Sequence, residues 1–146
     1  MASDLNQIVY SFDTSTLLDG QYHFRVYASD KLSNPGNGYQ VFQDSDLITL
    51  DNTGPEIQKI SAQSAGHEME FKFIAKDQIS ALAYAEYTID GQMGELIQSQ
   101  DKIVDSQHES FVFRIPKPAK GKHFIVVKVS DRLGNTSTAT TNFEVK

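Results

Sequence analysis

Oxygen-rich side chains at the predicted ends of strands are the residues of this chain best suited to chemistry, and that chemistry would be calcium binding. Calcium prefers carboxylate and amide oxygens as ligands. Their spacing matches no dense ligand loop, and Asp and Asn side chains commonly cap the backbone amides of turns. We therefore predict turn caps and no metal site, with calcium as the alternative, for six residues: Asp30, Asp51, Asn52, Asp77, Asp131 and Asn135.

Catalytic patterns are missing from the sequence. The four histidines, at 23, 67, 108 and 123, lie far apart and form no H-x-x-x-H pair. There is no G-x-S-x-G nucleophile motif and no glycine-rich phosphate loop. Asp101 and Asp105 fall in a predicted loop, where carboxylates keep a sheet edge soluble. We predict that the protein is not an enzyme and has no catalytic residue and no cofactor.

Aromatic side chains could instead form a glycan-binding surface. Tyr27, Tyr39, Phe42 and Tyr84 are predicted to be exposed, but the chain has no Trp, the side chain that stacks best on a sugar ring. Four other aromatic side chains occupy the alternate positions that face inward on predicted strands. We expect them in the core: Tyr10, Phe12, Tyr22 and Phe24.

The composition is that of an ordinary globular protein and excludes several partners. Of the 146 residues, 39% are hydrophobic and 22% charged, and the net charge of −6 argues against a nucleic acid or an anionic membrane surface. No apolar run approaches the ~20 residues that span a bilayer. The start, MASDLNQ, lacks signal-peptide features and is expected to be an expression start on an excised fragment. Zero cysteines exclude disulfides and thiolate sites.

Period-two alternation runs through the whole chain and predicts an all-β protein. In the stretch HEMEFKFIAKD, Met69, Phe71, Phe73 and Ala75 alternate with a second set, as expected for a strand with one wet face. This wet-face set is Glu68, Glu70, Lys72 and the less clear Ile74. No window shows a capped helical stripe. Seven strands are predicted in the second part of the chain, at residues 56–61, 68–76, 82–90, 95–98, 110–115, 124–130 and 139–145.

One pattern occurs twice. GQYHFRVYASDKLSN begins at Gly20 and GKHFIVVKVSDRLGN begins at Gly121, so the repeat period is 101 residues. This period suits one β-sandwich of about 100 residues. In each copy, the S-D-x-L-x-N segment is predicted to be a hairpin turn, because the Asp can cap amides and the Asn tolerates a left-handed conformation.

The repeat divides the chain unequally. Residues 53–146 are predicted to form a complete sandwich, and residues 1–52 the three-strand C-terminal half of a preceding unit. Half a sandwich exposes an apolar face, which is unfavourable at ~25 cal/mol per Å². We therefore expect this face to be covered, either by the complete unit or by the same strands of a second chain. Disorder of residues 1–50 is the rival hypothesis.

The segments DGQYHFRVYASDKLSN, DNTGPEI and GKHFIVVKVSDRLGN resemble bacterial immunoglobulin-like or fibronectin type III-like modules, which occur in tandem in large secreted and periplasmic proteins. LLDGQYHFRVYASD is also similar to the closing strands of the sandwich domain that follows β-propellers in periplasmic sensor proteins. Tyr22 resembles the corner tyrosine of such sandwiches, which bonds back to the backbone, a role that its counterpart His123 is not expected to share.

The resemblance implies a non-catalytic spacer, stalk or assembly module of a secreted, cell-surface or periplasmic protein. Its expected partners are proteins, through self-association of the half unit or through neighbouring domains of the parent chain. The alternative is a glycan- or protein-binding accessory module of a secreted hydrolase or a periplasmic sensor.

Overall fold

Antiparallel strands form the regular structure of residues 11–146, the part of the chain that the computed structural model describes. This confirms the predicted all-β class. Within that range, no helix is long and apolar enough to cross a membrane. The chain divides into two units, one ending at Leu50 and the other spanning Asp51–Lys146.

The second unit contains seven strands, each overlapping a predicted one. Most are longer than predicted, because the ladders continue to the turn residues. Their bounds are β5 Glu56–Ala65, β6 Glu68–Lys76, β7 Leu82–Ile89, β8 Gln92–Ile97, β9 His108–Pro116, β10 Gly121–Asp131 and β11 Thr136–Val145; the labels β1–β4 belong to the first unit.

These seven strands form two antiparallel sheets, ordered β5-β6-β9 and β11-β10-β7-β8. The inward-facing side chains of both sheets make up the core. Alternation places Phe71, Phe73 and Ala75 of β6 inside, as predicted, and Ile125, Val127 and Val129 of β10 are equally inaccessible to solvent. On the outer face of β10, Phe124 is exposed.

Glu70 differs from its prediction as a wet-face residue, because it is buried on the outer side of β6. Lys72 and Arg114 form salt bridges with its carboxylate, each at 2.8 Å. Hydrogen bonds from Lys72 and Arg114 lower the pKa of Glu70 to about 2. The long neighbouring side chains therefore cover a charge that remains ionised.

Strand β5 is an irregular edge strand. Its pairing with β6 shifts register between Gln58 and Ser61, and Lys59 within this bulge has a φ of 57°. A bulge of this kind bends a strand and interrupts its row of ladder groups. Strand β11, at the edge of the other sheet, lies next to β5.

Residues 11–50 of the first unit contain four short strands that correspond to one broken hairpin. β1 (Gly20–Tyr22) pairs with β4 (Ile48–Leu50), and β2 (Arg25–Ser29) pairs with β3 (Gln40–Asp44). Under the 101-residue offset, β1 and β2 together match β10. Their pairing with β4 and β3 matches the pairing of β10 with β11. The repeated sequence therefore forms the same hairpin in both units.

Not all of the predicted core of the first unit is buried. Phe12 and Phe24 form an edge-to-face pair with ring centroids 6.2 Å apart, yet both are exposed, and Tyr22 is half-buried. The opposing sheet that covers the matching positions of the second unit has no equivalent among residues 11–50. Tyr10, also predicted to lie inside, falls outside the described residues.

The joint between the repeats belongs to the second unit. Pro55 is fully buried, and the Asn135 side-chain amide donates a hydrogen bond to the Asp51 carbonyl at 2.9 Å. A Cβ atom on Gly54 would lie 2.8 Å from the Thr136 carbonyl oxygen, so this close approach requires glycine. The second unit thus begins at Asp51, two residues before the predicted boundary.

Candidate functional site

The repeated S-D-x-L-x-N segment forms a capped turn in both units, which confirms the predicted capping. Asn34 donates its side-chain N–H to Asp30 Oδ2 at 2.8 Å, and Asn135 donates to Asp131 Oδ2 at 2.9 Å. Backbone amides complete each cap. Tyr39 donates to Asp30, and both Leu133 and Asn135 donate to Asp131 Oδ1. The Asp carboxylates therefore close the hairpin ends.

The two asparagines do not use the left-handed conformation that this residue type tolerates. Neither Asn34 nor Asn135 has a positive φ; in the second turn Gly134 adopts it instead, with φ 93°. Glycine has no Cβ and so occupies this region at little cost. The role of the asparagines is to donate a side-chain hydrogen bond to the carboxylate four residues earlier.

Three of the predicted oxygen-bearing residues converge at one end of the second unit. Asp51, Asp77 and Asp131 each bring a carboxylate oxygen within 4.8 Å of the others. Asp51 and Asp131 are buried and Asp77 is half-buried. Because these residues come from the joint, the end of β6 and the end of β10, only the folded sandwich brings them together.

Turn donors engage all three carboxylates. Ser80 donates its hydroxyl to Asp51 Oδ2 at 2.6 Å, and the Ile79 and Ser80 amides donate to Asp77 Oδ1 at 2.8 Å. No salt bridge of residues 11–146 involves these three carboxylates. Within residues 11–146, the partners of the three carboxylates are thus hydrogen-bond donors of the turns and not cationic side chains.

This arrangement has the hard oxygens that a divalent cation requires. It also fulfils the capping role predicted for the same atoms. Asp30 belongs to the other unit and is not part of the group, and the Asn135 amide nitrogen donates to Asp51 and Asp131. The absence of a metal site therefore stays a prediction, which unfolding in EDTA and in calcium chloride can test.

A corner hydrogen bond to the backbone occurs in both units, contrary to the expectation for His123. Tyr22 donates its hydroxyl to the Leu18 carbonyl at 2.7 Å, as predicted. In the second unit, His123 Nε2 lies 2.7 Å from the Ala119 carbonyl oxygen, again four residues upstream. The imidazole N–H of His123 takes the place of the tyrosine hydroxyl. Because Tyr and His are different residue types, the sequence does not reveal this shared role.

His123 also contacts Asp90, the residue at the turn after β7. The distance from His123 Nδ1 to Asp90 Oδ2 is 2.7 Å, and the ring stacks on Phe143 with centroids 5.5 Å apart. A carbonyl and a carboxylate can only accept, so the protonated imidazolium satisfies both contacts whereas the neutral ring satisfies one. The hydrogen bond to Asp90 raises the pKa of His123, and the same bond lowers the pKa of Asp90.

We expect this corner to make the second unit less stable as the pH rises. Because the folded-state pKa of His123 lies above 6.5, its stabilising effect is complete below pH 6.5 and is lost as the pH rises through the folded pKa. The urea concentration at the unfolding midpoint of the wild type should therefore decrease as the pH is raised from 6 to 8.5. Circular dichroism in urea at several pH values measures this change.

The matched variant is His123→Tyr, which copies the first unit. A tyrosine can keep the bond to the Ala119 carbonyl without titrating in this range, so the midpoint of the variant should change less with pH. The other histidines, at 23, 67 and 108, are exposed and common to both proteins, as are Lys122 and Glu144 beside the ring. Equal pH dependence of the two proteins would contradict the role of His123.

The described residues offer no nucleophile to the His123–Asp90 pair. Nε2, which faces the serine hydroxyl in a hydrolytic triad, faces the Ala119 carbonyl here. Asp101 accepts from the Ser99 hydroxyl and the Ile103 amide, so it caps a loop, and the Asp105 amide is held by Glu109. This geometry supports structural roles for these groups.

Comparisons with known proteins find no relative of this chain. No family model, curated protein or solved structure matches the chain.

Proposed function

We propose that this chain is a non-catalytic structural or interaction module, a spacer, stalk or assembly domain, of a larger exported bacterial protein. The observation that carries the proposal is the repeated hairpin. Two successive units share its strand pairing, its Asp–Asn cap and its corner bond to the carbonyl four residues upstream. Repetition of a scaffold without repetition of a reactive site is typical of modules in series.

The strand order supports an immunoglobulin-like or fibronectin type III-like sandwich. Counted from β5, the first, second and fifth strands form one sheet, and the third, fourth, sixth and seventh form the other. Constant-type immunoglobulin domains differ only in placing the fourth strand on the opposite sheet. The corner bonds of Tyr22 and His123 stand near the start of the strand where such sandwiches have their corner tyrosine. The exported location rests on this resemblance.

A mechanical experiment tests the spacer role. Pulling the whole chain by its ends in a force spectrometer should give one discrete unfolding event for the second unit, residues 51–146. The released length should be roughly 300 Å, at about 3.3–3.6 Å per residue minus the folded dimension. Extension without a discrete event would contradict a load-bearing role.

The glycan-binding alternative has less support from the geometry. Tyr27 and Phe42 are exposed side by side on β2 and β3, but their rings are inclined by 51°. The Arg25 guanidinium also lies over the Phe42 ring, 4.2 Å from its centroid. A flat platform for a sugar ring is therefore not formed there. Glycan-array binding that Tyr27→Ala abolishes would favour the alternative.

A further inference from the structure

The loop between β2 and β3 contains the pair Asn37-Gly38. Asn37 is exposed and Gly38 is half-buried. The backbone amide of Asn37 donates to the Asn34 carbonyl at 3.3 Å. Within residues 11–146, no hydrogen bond engages the Asn37 side chain or the Gly38 amide. A free carboxamide and a free backbone nitrogen are therefore adjacent at the surface of this loop.

The fold of the loop requires glycine at position 38. A Cβ atom on Gly38 would lie 2.7 Å from Lys31 Cα, which is too close for any other residue. The lack of a side chain also leaves the Gly38 nitrogen open to approach from the Asn37 carboxamide. The residue that lets the loop close thus removes the steric barrier to a reaction with the residue before it.

We propose that Asn37 is a site of spontaneous deamidation. The Gly38 nitrogen forms a bond to Asn37 Cγ, and the side-chain nitrogen leaves as ammonia together with the Gly38 amide proton. Water then opens the resulting five-membered succinimide at one of its two carbonyls, which gives aspartate or isoaspartate. Because both reacting groups belong to neighbouring residues, the ring closes without an enzyme. The product adds one negative charge to the net charge of −6.

Two other asparagines have no free nitrogen beside them. Asn34 precedes Pro35, which has no N–H, and its side chain donates to Asp30 Oδ2. The backbone amide that follows Asn52 donates to the Asp51 carboxylate at 3.2 Å. Ring closure at these two positions is therefore hindered by the neighbouring residue.

The asparagines of the second hairpin are held by the fold. The Asn135 side chain donates both to the Asp51 carbonyl and to the Asp131 carboxylate. Asn142 lies within the ladder between β10 and β11, which fixes its backbone in an extended form. Asn6 falls outside the described residues. Of the asparagines in residues 11–146, Asn37 is therefore the one with both reacting groups free.

The test is peptide mass spectrometry of the full chain after incubation in mildly alkaline buffer. Replacement of NH2 by OH raises the mass of the affected peptide by about 1 Da. The converted fraction at Asn37 should exceed that at Asn135 by about tenfold or more, because Asn135 must first lose two hydrogen bonds. Asn37→Gln is the matched variant, since it keeps the amide but would have to close a six-membered ring. The mass gain of this peptide should be lost.

Three results would overturn the proposal. Conversion at Asn37 no faster than at Asn135 would show that the free groups do not react. An unchanged mass gain in Asn37→Gln would place the reaction elsewhere in the peptide. Incubation in urea frees Asn135 from its two bonds, so the ratio between the sites should fall. An unchanged ratio would contradict protection of Asn135 by the fold. Circular dichroism shows whether each sample is folded.

Discussion

Replacing Phe111 by alanine is expected to lower the free energy of unfolding of the second unit by about 3–5 kcal/mol. Phe111 lies in the middle of β9 with no solvent exposure. Its ring stacks on that of its cross-strand partner Phe73, with centroids 4.7 Å apart and planes 14° from parallel. Alanine would leave a cavity between the two sheets. Because long hydrogen-bond ladders fix the strands, the sheets can move little to close this cavity. Urea denaturation followed by circular dichroism measures the loss.

Val112→Ala is the control for this prediction. Val112 is the next residue of the same strand, points to the other face and is 36% exposed. Its truncation should cost less than about 1 kcal/mol, because most of the transfer and cavity cost is absent. Similar losses for the two variants would show that the inner face of β9 is not packed as described.

The second large effect is expected for Asp131→Ala, with a loss of about 2–4 kcal/mol. The carboxylate accepts from two backbone amides and from the Asn135 side chain, while the residue is only 3% exposed. Each buried donor left without an acceptor costs about 1–3 kcal/mol. The loss of the Asn135 anchor should also weaken the hold on the Asp51 carbonyl. The free energy of unfolding is again the measured quantity.

The Asp131 experiment also separates capping from calcium binding when it is carried out in EDTA and in calcium chloride. If the carboxylate acts as a cap, the free energy of unfolding differs between the variant and the wild type by the same amount in both solutions. Asp101→Ala serves as the control, since this exposed carboxylate caps a loop through Ser99 and Ile103 and should cost much less. A loss seen only with calcium would identify Asp131 as a ligand and contradict the prediction of no metal site.

The strands could be predicted from the sequence because local alternation determines which face of a strand is buried. Phe71, Phe73, Phe111 and Val127 satisfy that pattern, and an opposing sheet covers them. Phe24 satisfies it as well but remains exposed, since burial also requires a second sheet that alternation within one strand does not specify. Glu70 departs from the pattern because Lys72 and Arg114 cover it.

The site residues were predictable as types but not as a group. Asp51, Asp77 and Asp131 were recognisable as caps or ligands, yet their mutual approach depends on where three separate segments end in the folded sandwich. His123 has the corner role because its Nε2–H points to the carbonyl four residues upstream, as the Tyr22 hydroxyl does in the first unit. Residue identity alone does not show this equivalence.

The bulge in β5 determines how well this edge of the sheet could accept a strand from another chain. An uninterrupted edge strand can recruit an identical edge and continue without limit, as in fibres. Here the register shift at Lys59 breaks the row of unpaired backbone groups, and β11 lies next to the same strand. This edge of the second unit is therefore a poor template for the addition of strands from other chains.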